Sequence, residues 1–504
     1  MPRTAFSNAR LFPTLALGSV LVAALSLSAC GKKKDGETET PGGEGASAEE
    51  LAQKIEDAKA DAKVASLVDL ANKDLVKGRY VSAANLAREA LADDENNANA
   101  YAILGTAHWR GGKVVESTEA YEQALAIEPT NYGAALGLAR NYQVSGRDVE
   151  AIALLDAVLK EDSKQIEPHI TKLWSHYATL DAKGVVADGD AIFIAGIKED
   201  DPIVPLIQAY RAFMEPLTDK GPFCVVEGKG SSSLGVDAAS GVKFAGTVVG
   251  GEFTQAVLAE IFEENIVDPA FAKAAGLKAV GKFKPIGTKK DVDIVLIPEL
   301  KLGDFVMKNV PAYVSPLDGW AGMVGETPGI RLGRQALLKV GAIRYDYPAF
   351  TVSFDAEAPS GPPDGAVESP LLMVSWHLQH APVIPMQLAG SEHTFYAYLG
   401  GLYSSGVTVT KKHYLKSGFL PRVLDPLDDK AQGLKMVYVD GYTVGGESFG
   451  GVGGLVLANE PPDQTIRMFL ENAAFEIGGF VNVNTLKSWK VTYALGAGKI
   501  YIER

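Results

Sequence analysis

Few side chains in this sequence have the types and spacing that a chemical function requires. His377 and His380 stand three residues apart in WHLQH, but no further metal ligands follow at a suitable spacing. The serines at 231–233 and 404–405 lie in glycine-rich stretches without the G-x-S-x-G pattern of a nucleophile elbow. The glycine-rich run at 441–455 lacks the Lys-Ser/Thr ending of a phosphate loop. We therefore predict no metal site, no cofactor and no serine-hydrolase centre.

The first cysteine has a predicted chemical role near the N-terminus. Arg3 and Arg10 flank the start of an apolar stretch that ends in Leu27-Ser28-Ala29-Cys30. A charged start, about a dozen apolar residues and small residues before a cut site are typical of an export signal. The last four residues resemble the bacterial lipobox, which implies that the Cys30 thiol is acylated and anchors the mature chain to a membrane. An ordinary signal peptide that ends near a cysteine is the alternative.

The segments around Cys30 bound the compartment and the partners. We assign residues 1–30 to the signal peptide and lipobox, and residues 31–50, rich in Gly, Glu and Thr, to a flexible linker. Gly31 follows the cysteine in place of Asp, which in similar sorting systems favours the outer membrane, facing the periplasm. A net charge of −14 without a basic stripe argues against nucleic acid as a partner. Cys224 has no partner in the chain once Cys30 is acylated, so we predict an inert thiol.

A period of 34 residues runs through the first third of the chain. Glycines and leucines recur in this register, and small residues stand where two helices would cross. The pattern resembles the tetratricopeptide repeat, whose stacked helical pairs form a solenoid with a concave face that binds peptides or protein surfaces. We assign residues 51–220 to these repeats; the part after residue 165 loses the glycine register, as a capping copy would, and a structural spacer is the alternative function. The repeat-defining residues are Leu70, Gly78, Leu104, Gly105, Gly112, Tyr121, Ala124, Pro129, Leu138 and Gly146.

After residues 201–222, which we expect to form helix and linker, the pattern changes to alternating Gly, Val, Thr and aromatic residues, which predicts β-structure. Residues 329–354 and 476–504 end in the same way, with an apolar-Gly turn, a short helix and two strands. This ending resembles the closing segment of the lobes of retropepsin-type aspartic peptidases. The resemblance implies a bilobal module with one lobe at 221–360 and a second at 361–504.

The active site of that family requires one aspartate from each lobe, because two close carboxyls share a proton and activate water. Ala259, Glu260 and Ile261 occupy the corresponding turn of the first lobe, and Gly400, Gly401 and Leu402 that of the second. Neither turn supplies an aspartate. Asp237 precedes the hairpin rather than following it, and for Glu260 we favour a solvated or capping carboxylate over a catalytic one.

These observations favour a membrane-anchored periplasmic scaffold in which the repeats and an inactive peptidase-like module hold a protein or peptide ligand. β-Augmentation in a cleft between two lobes needs backbone pairing but no catalytic dyad. Two alternatives remain open: an active aspartic peptidase in which Asp237 or Glu260 takes part, and a structural envelope lipoprotein.

Overall fold

The N-terminal part of the described chain is helical. The computed structural model describes residues 48–237, 240–376, 379–399, 407–418, 434–444, 447–457, 475–481, 486 and 488–503. Two compact units divide the chain, Met1–Lys63 and Val64–Arg504, and the first is described from Ala48 onward. The helices of this part are α1 (Ala48–Val76), α2 (Tyr80–Asp93), α3 (Ala98–Arg110), α4 (Val114–Ile127), α5 (Tyr132–Val144), α6 (Asp148–Glu161), α7 (Ile166–Thr179), α8 (Ala182–Ile194) and α9 (Val204–Met214), followed by a 3-10 helix at Glu215–Leu217.

Tight turns with one residue in the left-handed region join the helices in pairs. Gly78, Gly112 and Gly146 have φ angles of 71°, 74° and 73°, which glycine adopts without a Cβ clash. Leu180 stands 34 residues after Gly146 and has a φ of 61°. The glycine is lost in the last copy, as predicted, but the turn persists, so α7 and α8 form a fourth pair with the same period.

The side chain of Tyr121 explains why two register positions are glycine. Tyr121 is buried, and its ring occupies the space beside Gly105 and Gly137. A Cβ atom on Gly105 would lie 2.7 Å from the ring, and one on Gly137 would lie 2.2 Å from it. Helices α3 and α5 therefore approach the same aromatic ring closely because neither carries a side chain there.

The other repeat-defining residues differ in how deeply they are buried. Ala124 and Leu138 are buried, whereas Leu104 is partly buried. Leu70, at the equivalent position of the first pair, keeps 46% of its surface exposed. Pro129 lies just after the end of α4 in an exposed turn, where its ring interrupts no helical hydrogen bond.

We predict that Gly137→Ala lowers the free energy of unfolding by about 1–3 kcal/mol, because the added methyl group overlaps the Tyr121 ring. Gly133→Ala is the matched control on the same helix, since the nearest atom to its added Cβ is 3.8 Å away. The control is expected to be stabilised by up to about 1 kcal/mol through helix propensity. Urea denaturation followed by circular dichroism measures both; equal effects of the two substitutions would contradict this packing.

Polar side chains cap several of the repeat helices. The Oδ1 atoms of Asn97 and Asn131, which are 34 residues apart, accept hydrogen bonds from Ala100 N at 2.9 Å and Ala134 N at 3.0 Å. Asp181 caps α8 in the same way through Gly184 N at 3.1 Å. Each cap satisfies a backbone N–H that has no partner within its helix.

The rest of the described chain is mostly β, which confirms the predicted order of a helical region followed by a β-rich region. Its helices are α10 (Pro269–Ala274), α11 (Ala321–Val324), α12 (Arg334–Leu337) and α13 (Lys411–Lys416), with 3-10 helices at Asp318–Trp320 and Leu495–Ala497. Strands within residues 221–360, the predicted first lobe, are β1 (Val225–Glu227), β2 (Lys229–Val236), β3 (Lys243–Val249), β4 (Glu252–Ala259), β5 (Ile266–Val267), β6 (Ala279–Phe283), β7 (Val292–Leu302), β8 (Phe305–Val314), β9 (Ile330–Gly333), β10 (Ala342–Asp346) and β11 (Thr351–Asp355). Strands within residues 361–504, the predicted second lobe, are β12 (Val367–Pro370), β13 (Leu372–Trp376), β14 (Gln379–Leu388), β15 (Thr394–Leu399), β16 (Val407–Thr410), β17 (Leu434–Val444), β18 (Glu447–Leu457), β19 (Ile477–Val481), β20 (Lys490–Ala494) and β21 (Lys499–Glu503).

The two lobes contain the same cycle of six strands. In the first lobe the neighbours run β3, β4, β9, β5, β8, β7 and back to β3. In the second they run β14, β15, β19, β16, β18, β17 and back to β14. The parallel pairs fall at the same two places in each cycle, β4–β9 and β5–β8 in the first and β15–β19 and β16–β18 in the second. The topology is therefore duplicated.

A further set of strands joins the lobes symmetrically. Its order is β2, β11, β10, β20, β21, β12, so each lobe contributes three strands in mirrored sequence. The central pair is antiparallel and matches Arg344 with Thr492. Tyr345 directly follows Arg344, and Tyr493 directly follows Thr492, so the two tyrosines hold equivalent positions in the two lobes.

One continuous hydrophobic core extends from α7 through α9 into both lobes. Ile207, Phe213 and Met214 on α9 are fully buried in this core. We expected residues 201–222 to form helix and linker; the helix is present, but α9 packs between the repeats and the sheets rather than acting as a linker. Burial of its apolar face joins the repeats and the lobes, which both lie in the unit Val64–Arg504.

Candidate functional site

A buried ion pair lies at the end of the opening hairpin of the first lobe. Lys243 begins β3 opposite Leu258, and Glu260 directly follows β4. Lys243 is 7% exposed and Glu260 5% exposed, and Lys243 Nζ donates a hydrogen bond to Glu260 Oε1. Removing a charge from water costs several kcal/mol unless a partner compensates for it, as each of these residues does for the other.

Tyrosines from both lobes surround this ion pair. Lys243 Nζ lies 5.0 Å from the ring centre of Tyr345 and 5.3 Å from that of Tyr493. Because Tyr345 and Tyr493 are equivalent residues of the central strand pair, nearly equal distances place the ammonium close to the junction of the lobes. Burial raises the pKa of Tyr345 and of Tyr347, and the negative charge of Glu260 raises both further, so these phenols stay protonated.

The residues predicted to replace the catalytic aspartates lie at this junction as far as they are described. Ala259 ends β4 and is buried, and the carbonyl of Ile261 accepts a hydrogen bond from His380 N at 2.8 Å. Gly400, Gly401 and Leu402 come after the end of β15 and lie outside the described residues.

Glu260 differs from our expectation of a solvated or capping carboxylate. It is buried and paired with Lys243, because the hairpin register brings a lysine to the start of the neighbouring strand. Asp237 accepts hydrogen bonds from Ser240 N at 2.7 Å and Ser240 Oγ at 2.6 Å, in the turn between β2 and β3. Among the described residues, the Glu260 carboxylate is thus paired with an ammonium, which cannot share a proton as a second carboxyl would.

A second buried charge cluster lies where the repeats meet the first lobe. Arg334 Nη1 lies 3.3 Å from Glu263 Oε1, and Arg334 Nη2 lies 3.6 Å from Asp148 Oδ2 on α6. His380 Nε2 lies 2.5 Å from Glu263 Oε2. Arg334 follows Gly333 at the start of α12, and Glu263 lies in the loop after β4. The cluster therefore links α6 to both lobes through charges.

The pKa of each carboxyl in this cluster depends on how well it is paired. Burial raises the pKa of Glu263, but Arg334 and His380 outweigh that effect and lower the pKa to about 2. Burial raises the pKa of Asp148, and the more distant Arg334 offsets this only in part. Burial and the charge of Glu263 raise the pKa of Glu264, whose Oε1 accepts a hydrogen bond from Tyr177 at 2.9 Å.

We predict that Glu263 makes the fold sensitive to acid. A carboxyl with a lowered folded-state pKa stabilises the fold above its unfolded pKa, here 4.5, and loses that contribution as the pH falls toward about 2. The loss is about 3 kcal/mol, and Glu263→Gln removes it. Asp148 and Glu264 have raised pKa values and oppose this pH dependence, and the charge of Glu263 contributes to both shifts, so the difference between parent and variant reports the whole effect of removing that charge.

Urea denaturation at several pH values between 5 and 2 measures this difference. Glu299→Gln is the matched control, since its carboxylate is exposed and pairs with Lys301 on the surface. An acid-dependent loss of stability that is the same in Glu263→Gln and in the parent would contradict the assignment.

A pocket of about 200 Å³ lies between the repeat helices and the two lobes. Residues of α5, α6, α7 and α9 line one side, and residues of the loop after β4, of α12 and of β13 and β14 line the other. The pocket is thus bounded by the repeats and by both lobes. The lining residues are Gln143, Asp148, Trp174, Tyr177, Ala178, Leu206, Tyr210, Glu263, Arg334, Met373 and His380.

The turns of the repeats pack closely against the second lobe. A Cβ atom on Gly112 would lie 3.1 Å from Glu476 O, and one on Gly146 would lie 2.6 Å from Leu495 O. Trp109 packs edge-on against Phe475 with ring centres 5.2 Å apart. The repeat glycines therefore serve both the turn conformation and the contact with the second lobe.

Some of the remaining candidate residues lie outside the described part of the chain. Cys30 and His377 lie outside the described residues. Cys224 is buried, and burial raises the pKa of its thiol to about 12. In the described ranges, no three or more His, Cys, Asp or Glu side chains are grouped to hold a metal ion. None of the described helices combines the length and apolar composition of a membrane span.

Comparison with known proteins identifies the helical part. A family model described as tetratricopeptide repeat matches residues 111–173. The N-terminal helical region contains tetratricopeptide repeats. The chain matches none of the curated proteins.

Solved structures of tetratricopeptide repeat proteins are similar to part of the chain. One from Parabacteroides merdae is 21% identical with a TM-score of 0.27, over 31% of this chain and 60% of its own length. The TPR domain of Arabidopsis OM64 is 16% identical with a TM-score of 0.23, over 23% of this chain and 97% of its own. YrrB, described as a TPR protein with an unusual peptide-binding site, is 16% identical with a TM-score of 0.28, over 34% of this chain and 85% of its own. The chain thus spans less than two thirds of the Parabacteroides protein.

Proposed function

We propose that this chain is a lipid-anchored scaffold of the cell envelope whose tetratricopeptide repeats and non-catalytic aspartic-peptidase-like module together hold a protein or peptide ligand. The buried Lys243–Glu260 pair at the junction of the lobes is the observation that carries the proposal. It argues for binding without cleavage, because a shared proton between two carboxyls has no counterpart in an ammonium–carboxylate pair.

The duplicated topology supports the peptidase-like part of the proposal. In each lobe a parallel strand, β9 or β19, precedes a final hairpin, β10–β11 or β20–β21, as in the lobes of retropepsin-type peptidases. The mirrored strands between the lobes fit a bilobal module of that type. The lobes are accordingly expected to form one ligand-binding body.

The repeats support the scaffold part. Tetratricopeptide repeats bind protein or peptide partners through surfaces formed by stacked helices. In this chain Trp174, Leu206 and Tyr210 line a pocket together with residues of both lobes. A bound segment would therefore contact the repeats and the lobes at once. Acylated Cys30 would hold this body at a membrane in the periplasm, with residues 31–50 as a tether.

Site-specific photocrosslinking in cells tests the scaffold. A photoreactive amino acid at Leu206, which lines the pocket, is expected to give a discrete protein adduct from envelope fractions. The same group at Val149, which is 70% exposed on α6, is the control and is expected to give none. Cys30→Ala should release the chain from membranes. Equal adducts at both positions, or none at Leu206, would contradict the scaffold function.

A further inference from the structure

The pocket between the repeats and the two lobes is lined on one side by aromatic rings. Tyr177 and Tyr210 stack with ring centres 3.7 Å apart, and Trp174 packs edge-on against Tyr210 at 5.3 Å. Electron-rich ring faces attract cations most strongly when water is displaced. The pocket volume of about 200 Å³ exceeds the roughly 150 Å³ of a cavity that holds benzene. A side chain of moderate length therefore fits.

Charged side chains also line the pocket, and they retain unused hydrogen-bonding capacity. The Asp148 carboxylate interacts with Ser175 and lies 3.6 Å from Arg334 Nη2, which is longer than a hydrogen bond, so it keeps lone pairs for a further donor. Arg334 Nε is buried and has no hydrogen-bond partner among the described residues. Such a group is matched by a carbonyl oxygen of an incoming ligand, because a buried donor without a partner is costly.

The charges that line the pocket favour a ligand of one sign of charge. Asp148 and Glu263 both line the pocket beside the single guanidinium of Arg334, and Glu264 lies behind Tyr177. His380 and Arg334 both pair with Glu263, whereas Asp148 has the Arg334 guanidinium only at 3.6 Å, so Asp148 is the less fully compensated carboxylate. An anion would have to approach the Asp148 carboxylate, whereas a cation would complement Asp148 and the aromatic wall.

We propose that this pocket binds a Lys or Arg side chain of the held peptide, with the cation at Asp148 and Trp174 and a peptide carbonyl at Arg334 Nε. The inference rests on the proposed scaffold function and names the feature of the partner that the pocket selects. Neutral and acidic side chains bind more weakly because they bring no positive charge to Asp148 and the aromatic wall.

Titration calorimetry on the full chain in detergent tests this selection. The ligands are N-acetyl-arginine methylamide and N-acetyl-lysine methylamide, with the citrulline, norleucine and glutamate counterparts as uncharged and acidic controls. We expect the cationic ligands to bind about tenfold or more tightly than their controls, which corresponds to at least about 1.4 kcal/mol. Equal binding of citrulline and arginine, or tighter binding of glutamate, would overturn the proposal.

Substitutions in the pocket locate the binding. Asp148→Asn and Trp174→Leu are expected to weaken the arginine ligand about tenfold or more. Two substitutions serve as matched controls: Asp156→Asn, at an exposed position on the same helix as Asp148, and Trp320→Leu, outside the pocket. Each is expected to change the affinity for the arginine ligand less than about twofold. If Asp148→Asn fails to fold, Trp174→Leu still tests the proposal, because an unchanged affinity of that variant for the arginine ligand would overturn it.

The outcome is distinguishable from failure of the scaffold function. Adducts at Leu206 together with no preference for cationic ligands would contradict the proposed role of the pocket but not the scaffold function. Selective binding of the cationic ligands without an adduct at Leu206 would sink the scaffold and leave the pocket as a site for small cationic ligands.

Discussion

Glu260→Gln is expected to lower the free energy of unfolding by about 3–5 kcal/mol, because it leaves the Lys243 ammonium buried without its countercharge. Urea denaturation at pH 7 followed by circular dichroism measures the change. The double variant Lys243→Met/Glu260→Met should recover most of the loss, since apolar side chains of similar volume need no countercharge.

The control for this prediction is a second Lys–Glu pair between strands. Lys308 and Glu227 are 43% and 56% exposed, so Lys308→Met is expected to change the free energy of unfolding far less than Glu260→Gln does. A loss below about 1 kcal/mol for Glu260→Gln would show that its carboxylate is hydrated in solution. That result would also reopen Glu260 as a reactive group.

Arg334→Leu is the second substitution with a large expected effect, a loss of about 3–5 kcal/mol at pH 7. It leaves Asp148 and Glu263 buried without the guanidinium that both approach. In the variant the pKa of these carboxyls should rise above their unfolded values. Their protonation then favours the folded state. The difference in the free energy of unfolding between parent and variant should therefore become smaller as the pH falls from 7 toward 4.

Denaturation of parent and variant over that pH range measures the effect. Arg140→Leu is the matched control, because Arg140 and Glu167 form a pair on the surface of the repeats with 39% and 28% exposed side chains. The control should cost about 1 kcal/mol or less. A deficit in Arg334→Leu that stays constant with pH would show that Arg334 acts through packing alone.

The helical part of the fold could be predicted because its determinants are local and periodic. Gly78, Gly112 and Gly146 mark turns that need a left-handed residue, and the 34-residue spacing fixes two helices per copy. The fourth copy was harder to recognise, because Leu180 adopts the left-handed turn without being glycine. The two similar endings at 329–354 and 476–504 likewise indicated two lobes.

The charged sites could not be predicted, because they depend on long-range contacts. Arg334, Asp148 and Glu263 are far apart in the sequence, and no local pattern brings a repeat helix next to the loop after β4. The Lys243–Glu260 pair had a weak signal: a lysine begins an apolar strand of a hairpin that a glutamate follows. The register of that hairpin was needed to pair them.

The junction between repeats and lobes has a consequence for binding. Helix α9 is buried in a core shared with both lobes, so the repeats and the lobes are packed together beside the pocket. If the pocket takes a basic side chain as proposed, Asp148 and Arg334 would contribute to specificity together with the helices.

Peptide hydrolysis is the most direct test of the account, whose central claim is that an ammonium–carboxylate pair replaces the acid pair between the lobes. The full chain in detergent is incubated with a mixture of unstructured peptides from acid to neutral pH, and new termini are sought by mass spectrometry. We expect no cleavage above that of a blank, and the same result for Glu260→Gln and Asp237→Asn. Cleavage by the parent chain that either substitution abolishes would contradict the account.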